Sequence, residues 1–365
     1  MTQNKTKFRL TLNSFNVIKG IGILTVILGH MASHYKMEEL ALPLLLLYIG
    51  FPVLAGAMPM FFLISGYSFK EKSVKKVLKT SFQSLIKPYL LVTLVFILLY
   101  PITFRLWYGE WAYGIHETKL YLIAFLFGIP KPGKQLFGYS IYHCTAMWFF
   151  LSTFWATNLL NLILKIKNKS AQLIIVLLLV VAGYEMLIRD FNFSCISQGF
   201  MATGYFYLGY MMKKHDLFSR GMHKVRTYLV LVPIACFFGF FCSFNLCLGE
   251  FRYGMIDYIA SCFAGILLMY LGVYLQRFEG TAMGLFDKIG TYTYWILCIH
   301  AVENDCMQWW AYQKVIPHES IAFVGEFVLK IVIIIFCCYL LKKITQYRYS
   351  RKRKQQWNKT NILKT

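Results

Sequence analysis

The sequence predicts an all-α, polytopic membrane protein with about ten transmembrane helices, and three observations carry that reading. Of 365 residues, 58% are hydrophobic and only 15% charged, a balance foreign to two soluble domains of ordinary composition. Mean hydropathy is +0.53, and mostly apolar runs of roughly 18 residues or more recur along the chain, close to the length a helix needs to cross a bilayer. Those runs also lack the alternation, in segments of about ten residues, that marks a membrane barrel. Backbone groups in hydrocarbon must pair internally, so helices remain.

In chain order the expected spans are roughly 15–34, 45–67, 84–101, 140–164, 171–188, 197–212, 226–247, 255–276, 287–306 and 321–341. Their direction follows from charge. With the N-terminus in the cytoplasm, KEKSVKKVLK, KIKNK, MMKKHDLFSRGMHKVR and the basic tail all fall inside, while YKMEEL, RDFN, LGEFR and PHES fall outside. Both termini are then expected in the cytoplasm of a cell membrane. The run KLYLIAFLFGIPKPG is too short to cross, and making Lys119–Pro130 a further span would invert every later loop. This segment is therefore expected to re-enter the membrane or to lie at its outer surface. The chain divides into a cytoplasmic segment 1–14, a membrane domain 15–341 and a basic cytoplasmic tail 342–365.

A formal charge of +22 invites a nucleic-acid partner until the basic residues are placed. They sit between apolar runs and in LKKITQYRYSRKRKQQWNK, where they orient loops and touch anionic membrane lipid. No nucleic-acid partner is expected. The ten cysteines include no CxxC and lie mostly inside apolar runs, as small buried hydrophobes do. No cleavable signal is expected, because the first apolar run carries Lys19 and continues without a small-residue cleavage site.

Ionisable residues inside the spans are the signals that point to chemistry, since lipid exposure is costly and such groups usually face the bundle interior or a watery cavity. Lys19 and His30 share the first span. Eleven residues apart, they are separated by about 16 Å along a helix and only about 20° around it, so they share a face. Lys19 lies close enough to the cytoplasmic end to snorkel instead; His30 is deeper. His300, in IGTYTYWILCIHAVEND, lies at a similar depth in a late span, and Glu303 follows it by three residues. That carboxylate either faces the same cavity and orients an imidazole or an acceptor hydroxyl, or stands at the outer rim. Three glycine-bearing stretches, IKGIGIL, LISGYSF and YFYLGYMM, fit close helix packing. Ser65 and Tyr67 close the second span at its cytoplasmic end, and no phosphate-binding GxxxxGK[ST] loop is present.

The ordered blocks NVIKGIGILTVILGHM, AMPMFFLISGYSFK, SFQSLIKPYL, MWFFLSTFWATNLL, GYFYLGYMMKK and IGTYTYWILCIH resemble the membrane acyltransferase-3 family, and most closely its fucose 4-O-acetylase-like branch, over about residues 13–341. The resemblance implies transfer of an acyl group, most often acetyl, from cytoplasmic acyl-CoA to a hydroxyl of an envelope sugar or polysaccharide. It implies no tightly bound cofactor and no metal; acyl-CoA is the donor substrate. The family's histidine of the first span falls on His30, the expected general base, and its basic residue on Lys19, where many members carry arginine. Its late-span histidine falls on His300, with Glu303 beside it, and Asn16 stands where the closer branch often has aspartate. Lys19, Ser65, Tyr67, Lys70, Lys72 and Lys87 are then the expected donor-binding set, and Trp148 faces a sugar or pantetheine or else belongs to an interface belt and the apolar core. A transporter or flippase of a glycan or lipid-linked sugar is the other reading, because polar residues in a bundle also line translocation paths; no paired broken helices favour it.

Overall fold

The computed structural model describes residues 12–32, 35, 56–191, 193–218, 224–242, 244–278, 280–316 and 318–362. A 3-10 turn, Leu12–Phe15, leads into α1 (Asn16–Ala32), and α2 spans Ala57–Ser68. Then come α3 (Val74–Ser81), a π turn at Phe82–Ile86, α4 (Lys87–Tyr108) and α5 (Trp111–Phe127). The hairpin β1 (Lys134–Leu136) and β2 (Tyr139–Ile141) precedes α6 (Trp148–Leu164), α7 (Lys169–Ile188), α8 (Ile196–Lys214) and α9 (Val225–Phe241). A second short hairpin, β3 (Phe244–Asn245) and β4 (Glu250–Phe251), leads to α10 (Met255–Leu275), α11 (Thr281–Cys306), α12 (Trp309–Val315) and α13 (Glu319–Ile362).

Among the described residues six helical stretches are long and apolar enough to cross a membrane, not about ten: Asn13–Met31, Val74–Tyr108, Thr145–Leu164, Lys169–Ile188, Met255–Leu275 and Glu319–Ile344. They make the protein multi-pass. The four remaining expected spans are not among these six. Of 45–67, residues 45–55 lie outside the described residues and α2 has 12 residues. The run 226–247 is cut at Phe241, where the chain turns into the β3–β4 hairpin, and α9 carries Pro233 inside it. α8 and α11 are long, but the first carries Gln198, Lys213 and Lys214 and the second Asp287, Lys288, His300, Glu303, Asn304 and Asp305. Such helices are held by packing against other helices, not by an apolar surface facing lipid. Around Lys119–Pro130 the helix runs from Trp111 to Phe127, with Gly128 in the left-handed conformation as its cap.

Burial separates an inner layer from an outer one. In the apolar windows of α1, α6 and α10 between 56% and 61% of residues are buried, against 28% in those of α3–α4, α7 and α13. The outer helices turn Leu90, Leu94, Leu98, Leu177, Leu178 and Ile335 outward, as a lipid solvent allows. Inside, glycines let backbones touch. A methyl group at Gly66 would collide with the Phe206 carbonyl of α8, and one at Gly209 with the Leu63 carbonyl of α2, so the two helices clasp reciprocally. α1 runs alongside α11 in the same way: Gly20 meets the Phe286 carbonyl, Gly290 meets that of Asn16, and Asn16 Nδ2 donates to Thr291 Oγ1 at 3.2 Å.

One join shows sequence chemistry resolved by a distant side chain. Pro88 has no N–H to give the Ser84 carbonyl four residues back, and the chain widens into the π turn at this point. Tyr294 of α11 supplies the missing donor, its hydroxyl lying 2.8 Å from Ser84 O. All ten cysteines are free thiols.

Candidate functional site

At one end of the α1–α11 pair the helices, the loops before α6 and the β3–β4 hairpin enclose a cavity of about 520 Å³, within the size range of small-molecule sites. His30 of α1 lines it and is solvent-exposed. His300 of α11 backs the same wall with no exposed surface. Their ring centroids are 5.2 Å apart. Register explains the meeting: the glycine contacts fix α1 against α11 near Asn16 and Gly290, and the two helices then advance side by side to their histidines.

Behind His300 runs a buried ionic network. His300 Nδ1 lies 2.7 Å from Glu303 Oε1, one helical turn on. The other carboxylate oxygen accepts from Lys330 Nζ at 3.0 Å and from Trp309 Nε1 at 3.1 Å. Lys330 also donates to Asn304 Oδ1 at 3.1 Å, sits 3.5 Å from Glu326 Oε1, and stands over the Trp309 ring at 4.6 Å. Glu326 Oε2 accepts from the Tyr35 hydroxyl at 2.8 Å. His300, Glu303, Glu326 and Lys330 are each at most 1% exposed, so every charge here depends on its neighbours, and unpairing one is expensive. His300 Nε2 has no hydrogen-bond partner in this network. With Nδ1 committed to Glu303, Nε2 is the nitrogen left to face a proton donor or acceptor.

The expected site residues divide between two ends of the molecule. His30 and His300 come together at the cavity, whereas Glu303 lies behind His300 and is neither a cavity wall nor a rim carboxylate. Lys19 is half-buried three turns away on α1, with Asp287 as its charged neighbour. Tyr67 is at that same end: its ring meets Phe15 edge-on at 5.4 Å and Phe218 at 6.1 Å, and Lys213 Nζ lies 5.7 Å from its centroid. Ser65 spends its hydroxyl on Phe61 O of its own helix at 2.8 Å. Lys70, Lys72 and Lys87 are exposed; the described contacts join none of them to Lys19, and the Lys72 backbone N–H is tied to Asn161 Oδ1 at 3.2 Å. Trp148 is 6% exposed and lines the cavity with Phe61 and Phe149.

Sequence reasoning passed over Lys330, Glu326, Tyr35, His143 and Asp305. For the first two a signal existed: VGEFVLKIVIII places a carboxylate and an ammonium four residues apart inside an apolar, membrane-length run, where a charge is a functional or structural marker by default. Tyr35, His143 and Asp305 carried none, because their partners lie on other elements. Among the described residues no group of three or more His, Cys, Asp or Glu side chains is placed to hold a metal ion.

The architecture and this site define a class: a multi-pass helical membrane protein with a histidine-walled cavity set among its inner helices. A family model described as an acyltransferase domain matches residues 12–343, and the chain belongs to that family, acyltransferase 3. No curated protein and no solved structure matches it.

Proposed function

We propose that the protein moves an acyl group, acetyl in the first instance, from cytoplasmic acyl-CoA to a hydroxyl of an envelope sugar or polysaccharide, as the fucose 4-O-acetylase-like branch does. The observation that carries this reading is the histidine pair, 5.2 Å apart at a cavity wall in a chain of the acyltransferase family. His30 is the general base. Its neutral imidazole takes the proton of the acceptor hydroxyl as that oxygen bonds to the acyl carbon; the carbon–sulfur bond then breaks, and the CoA thiolate recovers the proton from the imidazolium. His300, set by Glu303, positions the acceptor or supports His30. Transfer is direct, with no acyl-enzyme.

The donor enters from the Lys19 end. The pantetheine arm reaches from that end toward the cavity, while the nucleotide stays with Lys19 and the cytoplasmic rim of Lys70, Lys72 and Lys87, where positive charge attracts phosphate. Lys19 lacks the planar fork of an arginine and holds phosphate as a point charge. Tyr67 and Ser65 belong to the donor end as well. This reading takes both termini as cytoplasmic and the basic tail as resting on anionic lipid.

The test is purified protein with radiolabelled acetyl-CoA and glycans extracted from the envelope. Wild type should label the glycan and His30→Ala should not, at equal abundance. Undiminished labelling by the variant would defeat the assignment of the base. Mass spectrometry of surface glycans with and without the protein identifies donor class and acceptor together by the mass increment that disappears.

A further inference from the structure

The cavity contains a second polar pair that acyl transfer leaves unused. His143, in the loop before α6, and Asp305, at the end of α11, both line it. Their side chains keep 28% and 15% exposure, with Nε2 and Oδ1 3.8 Å apart. That separation is too long for a hydrogen bond. It leaves both atoms able to bond a guest that approaches the pair from the cavity side. His143 Nδ1 already accepts the backbone N–H of Thr145 at 3.1 Å, so in the neutral ring it is Nε2 that carries the hydrogen. A hydroxyl oxygen sitting to one side of the pair, about 2.8 Å from each atom, would accept from Nε2–H and donate to the Asp305 carboxylate, which uses both of its hydrogen-bonding capacities at once.

Two independent features converge on the same spot. Thr145 lines the cavity at 4% exposure, and its Oγ1 is buried without a partner, an omission that native structures seldom tolerate unless a ligand or water completes it. Thr145 also holds a left-handed backbone, φ +51°, a strained conformation for a β-branched residue and one that clusters at ligand sites. Beside these groups the aromatic side chains Trp148, Phe61 and Phe149 line the cavity. Hydroxyl-seeking polar atoms next to aromatic faces match a pyranose, which has hydroxyls on its rim and C–H bonds on its faces.

We infer that His143, Asp305 and Thr145 form the subsite for a neutral sugar acceptor, with Trp148 against its apolar face. The inference rests on the acyl-transfer reading for its meaning but not for its test. A pair of neighbouring sugar hydroxyls is held by the bridge and by Thr145 Oγ1, and a third is presented to His30 across the same cavity. These three are binding and positioning residues; none takes the transferred proton.

The test measures binding directly. Fluorescently tagged oligosaccharides released from the envelope are titrated into purified full-length protein in nanodiscs and followed by polarisation, with methyl hexopyranosides as competitors. Wild type should bind, and His143→Gln and Asp305→Asn should each weaken binding at least tenfold; in turnover assays the loss should fall on the glycan half-saturation concentration more than on kcat. Thr145→Val, which removes only the hydroxyl, should weaken binding severalfold. Unaltered binding in the two stronger variants, or no oligosaccharide binding by wild type, would overturn the subsite. Retained binding without CoA release from wild type would sink acyl transfer and leave the subsite standing.

Discussion

At the scale of single residues, the chemistry depends on how buried charge is shared. Glu303 serves His300, Lys330 and Trp309 at once, so Glu303→Gln should be costly although it preserves shape. A buried ion pair broken at one partner typically loses about 3–5 kcal/mol, and the melting temperature in detergent should fall accordingly. Lys330→Met should do the same by leaving Glu303 and Glu326 facing each other's charge; thermal unfolding of both variants at wild-type stability would show that the network is dispensable. His30 is exposed at the cavity wall, which makes His30→Ala the cleaner probe: acyl transfer should drop by a factor of about 10² to 10⁴, the usual weight of a general base, with melting little changed. Lys19→Ala should instead raise the acetyl-CoA concentration needed for half-saturation, and an unmoved saturation curve would remove Lys19 from the donor site.

At the scale of elements, close backbone contact sets the register on which the site depends. α2 and α8 clasp through Gly66 and Gly209, and α1 and α11 through Gly20 and Gly290. A larger residue at any of these points meets a carbonyl oxygen rather than a yielding side chain. Gly20→Leu should therefore force α1 away from α11, separating His30 from His300 and lowering both stability and turnover. Gly284→Leu, where a side chain would meet open space, should be tolerated. Equal melting temperatures for the two variants would show that the α1–α11 seam has slack. The Pro88 π turn makes a related point: Tyr294 repairs a carbonyl on a helix more than two hundred residues away in sequence.

At the scale of the whole molecule, polarity is arranged inside out. Apolar side chains on α4, α7 and α13 face outward, while the ionic network and the histidines are enclosed, as a chain dissolved in lipid requires. The +22 charge is expected to orient the protein with its basic stretches in the cytoplasm. A green fluorescent protein fused after Thr365 should fluoresce and alkaline phosphatase fused at the same point should stay inactive; the opposite pattern would reverse the orientation and with it the side from which the donor enters.

The sequence by itself determined the solvent and the first suspects. Composition made the chain a helical membrane protein, and the spacing of Lys19 and His30 put them on one face of one helix, because helix geometry is local. It overcounted the spans, since a run such as 226–247 is apolar enough on paper but breaks into a hairpin, and α11 is helical without being apolar. Only tertiary structure decided that His300 meets His30, that Glu303 turns away from the cavity to Lys330, and that His143 stands 3.8 Å from Asp305. Those relations join residues far apart in the chain; for the histidine pair the register is set by how closely Gly20 and Gly290 let the two backbones approach, a quantity that no local pattern encodes.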